Sequence, residues 1–140
     1  MSWAPNGKQL AFVSDSHFGD PHLAVVDVRT ARVHPLKLFS WDAPPAWSPD
    51  SSKLAVADYR QGTIHVVRSD GHVVKTLRVH ASTAPAWSPD GKMLAFGRGN
   101  PDQPGNPSVV LTISPAGGPT HVVATLPQGS QVIQLEWRKG

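Results

Sequence analysis

One phrase recurs along this chain of 140 residues, and a fixed period constrains the fold more than any other feature of a sequence. The sequence reads AWSPDSSKLAVADY at 46–59 and AWSPDGKMLAFGRG at 86–99. SWAPNGKQLAFVSD at 2–15 is a third copy, and QLEWRKG at 134–140 resembles the opening of a fourth. The copies align on four tryptophans: Trp3, Trp47, Trp87 and Trp137.

The residues that follow each tryptophan in the first three copies have the composition of a tight turn. Proline presets φ for a type I turn, an acidic or amide residue follows, and glycine supplies a left-handed conformation. The repeated structural positions in the second and third copies are Pro49, Asp50, Pro89, Asp90 and Gly91. The second copy has Ser51 and Ser52 in place of Gly-Lys, so we expect its turn to be looser. We expect the four tryptophans to pack in the core between repeats.

Each repeat reads as four short strands. A turn joins the first strand to a short apolar strand, and two further Val-rich strands follow, while 14 prolines and 12 glycines argue against long helices. Four strands in meander order over about 40–50 residues form one β-propeller blade. The sequence therefore predicts an all-β chain of three antiparallel four-stranded blades. We place blade 1 at 1–43, blade 2 at 44–83, blade 3 at 84–131, and one extra inner strand at 132–140.

The motif AWSPDGKMLAF, followed in other copies by VVD or VVR, resembles the TolB-like propeller repeat, a relative of the WD repeat. It is also similar to the propellers of prolyl oligopeptidase-like and tricorn-like proteases. Trp41-Asp42 lies in a predicted loop and not at the end of a third strand, which favours the TolB-like assignment. The resemblance implies a non-enzymatic propeller that binds protein or peptide ligands. It also implies a periplasmic or cell-envelope parent protein, although the chain as given carries no signal peptide.

Three blades cover only part of a ring, because propellers close with four to eight. We therefore expect oligomerisation to complete the ring. A head-to-tail homodimer would have six blades, the number associated with TolB-like domains, and a homotrimer of nine is the alternative. In this hypothesis the strand at 132–140 completes the first blade of the neighbouring chain.

No residues in the sequence form a recognisable catalytic constellation, so we expect no enzymatic activity and no cofactor. There is no G-x-S-x-G nucleophile motif, and cysteine is absent. His17, Asp20 and His22 share one segment, but no companion pair has zinc-ligand spacing, so we expect no metal. The net charge of +3 is scattered, which argues against nucleic-acid binding. No apolar run approaches the length of a membrane span.

Binding on such a scaffold is expected on the face where the more variable loops open. These loops are 15–22, 58–62 and 98–107 within blades, and 40–45, 80–85 and 127–131 after them. The candidate binding residues that they carry are His17, Phe18, Trp41, Asp42, Tyr59, Arg60, His80, Arg98 and Asn100.

Three functions remain open from the sequence. The first is a ring-forming scaffold that binds a protein or peptide. The second is the propeller segment of a larger prolyl-oligopeptidase-like or tricorn-like hydrolase whose catalytic domain lies elsewhere. The third is a minimal or engineered self-assembling unit with no ligand.

Overall fold

The computed structural model describes residues 1–16, 19–39, 44–99 and 107–137, which form twelve strands in three sheets. Blade 1 contains β1 (Ser2–Trp3), β2 (Gln9–Ser16), β3 (Gly19–Asp27) and β4 (Arg32–Phe39). Blade 2 contains β5 (Ala46–Trp47), β6 (Lys53–Asp58), β7 (Thr63–Arg68) and β8 (Val73–Arg78). Blade 3 contains β9 (Ala86–Trp87), β10 (Leu94–Arg98), β11 (Val109–Ile113) and β12 (His121–Thr125).

Each sheet is an antiparallel meander in which the strands are adjacent in chain order. The two-residue strands β1, β5 and β9 are the first of their sheets, and β1 contacts β5 as β5 contacts β9. These three short strands therefore line the inside of the array. The predicted all-β fold of four-stranded propeller blades is confirmed.

The turn between the first two strands has the same geometry in all three blades. The amides of Gly7, Ser51 and Gly91 donate to the carbonyls three residues earlier, at 2.8–2.9 Å. The three residues have φ values of 69°, 62° and 71°. The prediction of a looser turn at Ser51 was wrong. In that turn Asp50 Oδ1 accepts hydrogen bonds from Ser48 Oγ at 2.6 Å and from the Ser52 amide at 3.0 Å.

Two apolar cores hold the blades together, one at each junction. Between blades 1 and 2 the buried side chains are Ala4, Ala11, Leu23, Val25, Leu36, Trp47, Leu54, Val56 and Val67. Between blades 2 and 3 they include Ile64, Val66, Leu77, Val79, Trp87, Leu94, Phe96, Leu111 and Ile113. Consecutive residues of a strand point to opposite faces, so each blade contributes alternate positions to its two neighbours. Blade 2 is covered on both faces.

A tryptophan hydrogen bond accompanies each of these cores. Trp47 Nε1 donates to the Ser2 carbonyl at 3.0 Å, and Trp87 Nε1 donates to the Ala46 carbonyl at 3.0 Å. Both indoles are buried, at 7% and 8% exposure. Trp3 and Trp137, at the two ends of the array, are 55% and 38% exposed. A tryptophan of the repeat is therefore buried between blades only where the preceding blade of the same chain covers it, as for Trp47 and Trp87.

The face of blade 1 that points away from blade 2 is open. Leu54 and Val56 of blade 2 are fully buried against blade 1. Leu10 and Phe12 occupy the same positions of the repeat, because Leu10 pairs with Trp3 as Leu54 pairs with Trp47. Leu10 and Phe12 are only half-buried. This apolar face has no neighbouring blade within the chain.

The hairpin between β2 and β3 is longer than the sequence predicted. Residues 15–16 and 19–22 lie in strands, where a loop over 15–22 was expected. The pairing continues to Ser16 and Gly19 after a register irregularity, so the two strands extend beyond the body of the blade. The residues His17 and Phe18 lie outside the described residues.

The segment 131–137 is not in a strand within this chain. A Cβ placed on Gly97 would lie 2.9 Å from the Cβ of Val132, so this segment passes closely over β10. A side chain at position 97 would collide with it. Glycine at this position therefore allows the chain to leave blade 3 and return toward the inner strands.

Candidate functional site

Four equivalent positions of the repeat line one cleft, which we call the axial cleft. They are the residues two before each tryptophan: Met1, Pro45, Pro85 and Leu135. The cleft has a volume of about 420 Å³, and Tyr59 and Ile133 also line it. Residues 133–135 thus line the same cleft as Met1 and Ser2 of blade 1.

The position of the axial cleft follows from the local structure of each repeat. Proline at 44, 45 and 85 keeps the chain extended just before β5 and β9, and Pro45 and Pro85 are buried. Tyr59 begins the loop that joins β6 to β7, and it reaches the cleft from blade 2. The cleft therefore opens on the face where the loops between strands two and three are found.

Most of the side chains that line the axial cleft are apolar, with Ser2, Tyr59 and Gln134 as the exceptions. Ile133 is 87% exposed and Met1 is 84% exposed, although both are large hydrophobic side chains. Exposed apolar side chains around a concave surface are typical of protein or peptide contact sites. The arrangement can bind apolar side chains, and Tyr59 adds a phenol ring and a polar group.

A second cleft, which we call the basic groove, lies between blades 2 and 3. It runs along residues 75–80, which comprise most of β8 and the two residues after it, and it has a volume of about 400 Å³. Its cationic side chains are Lys75, Arg78 and Arg98, with His80 at one end. Leu77, Val79 and Ile113 contribute its apolar floor.

A tight backbone contact fixes His80 at the end of this groove. Its amide donates to the Gly62 carbonyl at 2.7 Å, and its φ is 52°, in the left-handed region. A Cβ on Gly62 would lie 3.1 Å from both Cα and Nδ1 of His80. The two loops on this face of blade 2 are thus packed directly against each other.

The structure separates the predicted binding residues into different places. Tyr59 lines the axial cleft, whereas His80 and Arg98 line the basic groove. Arg60 is exposed in the loop between β6 and β7. The other predicted binding residues lie outside the described residues: His17, Phe18, Trp41, Asp42 and Asn100.

Sequence reasoning missed several residues of the two clefts. Pro45, Pro85 and Leu135 share one offset from tryptophan, which is a signal that could have identified them. Lys75 and Arg78 were missed because they lie in a strand and not in a loop. Which residues of β8 line the groove becomes clear only when the position of the neighbouring blade is known.

The perturbed ionisable groups lie in turns and between strands and not in the clefts. The hydroxyl of Ser48 holds the pKa of Asp50 down to about 2, with the amide of Ser52 as the next cause. Ser88 lowers the pKa of Asp90 in the same way. Burial lowers the pKa of His65, whose ring nitrogens lie 3.0 Å from Thr76 Oγ1 and 3.1 Å from Thr63 Oγ1. These groups serve structural hydrogen bonds.

A metal site would need a cluster of ligands. Over residues 1–16, 19–39, 44–99 and 107–137, no three His, Asp or Glu side chains come together in this way. The segment with His17, Asp20 and His22 lies partly outside these ranges.

In the part of the chain that the structure describes, no helix has the length and apolar character to cross a membrane.

Three stacked four-stranded meanders, with short inner strands around an axial cleft, define a β-propeller architecture. The model of the TolB beta propeller domain matches residues 1–134, and the chain belongs to this family. The resemblance inferred from the repeated motif is thereby confirmed. No curated protein matches the sequence significantly.

Several solved structures share this fold, and they belong to proteins of different kinds. TolB from Acinetobacter baumannii is 22% identical, with a TM-score of 0.64 over 88% of this chain and 31% of that one. The β-propeller domain of the Trilobed protease from Pyrococcus furiosus, described as having an open velcro topology, is 15% identical. Its TM-score is 0.69 over 88% of this chain and 42% of that one. An oligogalacturonate lyase in complex with manganese is 13% identical, with a TM-score of 0.66 over 92% and 39%.

The chain spans less than half the length of each of these structures. Identities of 13–22% establish a common fold and nothing about activity.

Proposed function

We propose that this chain is a non-enzymatic propeller unit that closes its ring with a second copy of itself and binds a protein or peptide in the axial cleft. One observation carries the proposal. The blade-to-blade contact occurs twice inside the chain, and the half of it that blade 1 would offer to a preceding blade is left open. The open half at blade 1 consists of Trp3, Leu10 and Phe12.

The cleft residues support the placement of the closing strand. Residues 133–135 line the axial cleft together with Met1 and Ser2. In this chain β1 already pairs with β2, through Ser2 with Ala11 and Trp3 with Leu10. We therefore propose that residues 132–137 of one copy replace the two-residue strand β1 of the other. A longer strand offers more main-chain hydrogen bonds to β2 than two residues can.

Two deletions test this exchange. Removal of residues 132–140 should abolish the dimer, whereas removal of residues 1–3 should leave it intact, because the incoming strand replaces them. The reverse pattern, with dimers lost only on removal of 1–3, would contradict strand exchange. Circular dichroism of both variants checks that the blades still fold.

The lining of the axial cleft supports a peptide or protein ligand. It combines exposed apolar side chains with Tyr59, and aromatic and apolar anchors commonly dominate binding energy at such surfaces. Selection from a random peptide library on the immobilised protein tests this. We expect selected peptides that lose at least about tenfold in affinity when Tyr59→Glu places a charge in the cleft. Peptides that bind the variant equally well would contradict the proposal, and Val73→Glu, on the exposed outer strand of blade 2, is the control.

A second candidate is that the chain is the propeller segment of a larger hydrolase. The likeness to the propeller domain of the Trilobed protease favours it as an alternative. Under this alternative the catalytic groups belong to another domain. We further propose a cell-envelope location for the parent protein, which is the compartment that the TolB-like resemblance implies.

A further inference from the structure

We propose that the basic groove between blades 2 and 3 binds an extended acidic peptide segment. This site is separate from the axial cleft, and the proposal does not depend on ring closure. Lys75, Arg78 and Arg98 line the groove, and none of its described lining residues is acidic.

Two of the cations face the groove from opposite blades. Leu77 of β8 and Val79, just after the strand, are buried against blade 3, and Lys75 lies on the same face as Leu77 by alternation. Leu94 and Phe96 of β10 are buried against blade 2, and Arg98 shares their face. The positive charge is therefore built into both walls.

These two cations are not neutralised within the described part of the chain. The ion pairs found there are Arg68 with Asp70 and Lys92 with Asp90, and both are exposed at the surface. Lys75 instead extends its side chain along Gly117, where an added Cβ would lie 3.1 Å from Lys75 Cε. Glycine at 117 thus leaves room for the lysine stem in the groove.

The length of the groove favours an extended ligand over a single small anion. Lys75 and Val79 are four residues apart in an extended strand, which corresponds to roughly 13 Å. His80 and Arg98 lie at the Val79 end. A single carboxylate or phosphate group cannot contact both ends, whereas a strand of about five residues with repeated carboxylates can.

Two observations favour a peptide over other polyanions. β8 is the outermost strand of its sheet, so its outer edge offers main-chain groups to an added strand. No Phe, Tyr or Trp is among the described residues of the groove. Single-stranded nucleic acids are bound mainly by stacking on such rings, so their absence here disfavours them.

Fluorescence anisotropy with a labelled peptide of alternating Glu and Val tests the proposal on the full chain. We expect Lys75→Glu and Arg98→Glu each to weaken binding by about fivefold or more, as expected for loss of a charge pair at an interface. Arg32→Glu, an exposed cation on the outermost strand of blade 1, should leave binding unchanged. Raising the salt concentration from 50 to 300 mM should weaken binding several-fold, since a shorter Debye length screens exposed charges.

The neutral variants Lys75→Gln and Arg98→Gln guard against misfolding, and their thermal unfolding should match that of the wild-type protein. Failure of the peptide to bind would overturn the proposal. So would equal losses in Arg32→Glu and Arg98→Glu. Preferential binding of a heparin oligosaccharide or of oligo-dT would also overturn it, since it would identify a different class of ligand.

Discussion

The indole of Trp47 donates a hydrogen bond from Nε1 to the main-chain carbonyl of Ser2, 3.0 Å away and one full repeat earlier in the chain. Trp87 makes the same bond to Ala46, the residue that precedes Trp47. Each of these two tryptophans therefore links its own blade to the inner strand of the blade before it. This bond and the apolar layer around it form a contact that repeats with the sequence.

Replacement of this indole tests how much the bond stabilises the array. Trp47→Phe keeps a ring in the core but removes the donor, so the inner strand of blade 1 loses the hydrogen bond from this indole. We expect the free energy of unfolding to fall by about 1–3 kcal/mol from the lost hydrogen bond and the space left by the smaller ring. Urea denaturation followed by tryptophan fluorescence and circular dichroism measures it. Trp3→Phe is the control, since Trp3 is exposed, and a comparable loss in that variant would contradict this role for Trp47.

Ser51 connects two turns of neighbouring blades. Its Oγ accepts a hydrogen bond from the Asn6 amide at 3.1 Å, while its backbone holds a φ of 62°. Ser51→Ala should lower stability by about 1 kcal/mol, because it loses the bond and keeps the strained φ. Ser51→Gly should be within about 0.5 kcal/mol of wild type, because relief of the left-handed conformation offsets that loss.

Gly91→Ser is the matched variant in blade 3. It introduces a side chain at a φ of 71°, and we expect a cost of about 1 kcal/mol. Thermal unfolding of the three variants gives the comparison. If Ser51→Gly were as destabilising as Ser51→Ala, the left-handed backbone at this position would carry no cost.

The sequence predicted much of the fold, because its signals are local and repeated. Pro49 and Asp50 marked a turn that the structure contains, and the apolar strand after it is buried. The looser turn at Ser51 was predicted from its missing glycine, yet side-chain hydrogen bonds from Ser48 and Ser52 to Asp50 keep the same geometry. Such compensation depends on three-dimensional contacts and not on residue propensity.

Asp50 should make stability depend on pH in the acid range. Its pKa in the folded protein is about 2, below its usual value of 3.8, because Ser48 and Ser52 donate hydrogen bonds to the carboxylate. The unfolded chain therefore takes up this proton first, and stability falls as the pH drops from about 4 to about 2. Asp50→Asn should be less stable at pH 7 and should show a shallower acid dependence.

Unfolding in urea at pH values from 7 to 2 measures this difference. The two stability curves should approach each other toward pH 2, where Asp50 is protonated in the unfolded chain and about half protonated in the folded protein. A constant gap across the whole range would show that the charge of Asp50 does not stabilise the turn. Ser48→Ala should also flatten the dependence, because it removes the first cause of the low pKa.

His65 should produce a second pH dependence, closer to neutrality. Burial lowers its pKa below the usual value of 6.5, so the folded protein favours the neutral ring between Thr63 and Thr76. The unfolded chain binds the proton more readily, and stability is lost as the pH falls below about 6.5. His65→Gln should remove this part of the pH profile, and His72→Gln, in an exposed turn, should leave it unchanged.

The two clefts were less accessible to sequence reasoning than the fold. Tyr59, His80 and Arg98 were identified as loop residues, but the sequence could not separate the axial cleft from the basic groove. That division depends on how the blades are arranged around the axis. Ile133 was expected in an inner strand. It is instead 87% exposed in the axial cleft that Met1 also lines, and this position follows from the path of the chain at Val132, which passes over Gly97.

The mass of the protein in solution tests the central claim most directly, because an open array of three blades leaves Leu10 and Phe12 uncovered. Light scattering after size exclusion should give twice the 15.0 kDa of one chain, and removal of residues 132–140 should abolish that species. A mass of three chains would indicate a ring of nine blades and would contradict the dimer. A stable, well-folded monomer of 15.0 kDa would contradict ring closure by a second copy altogether.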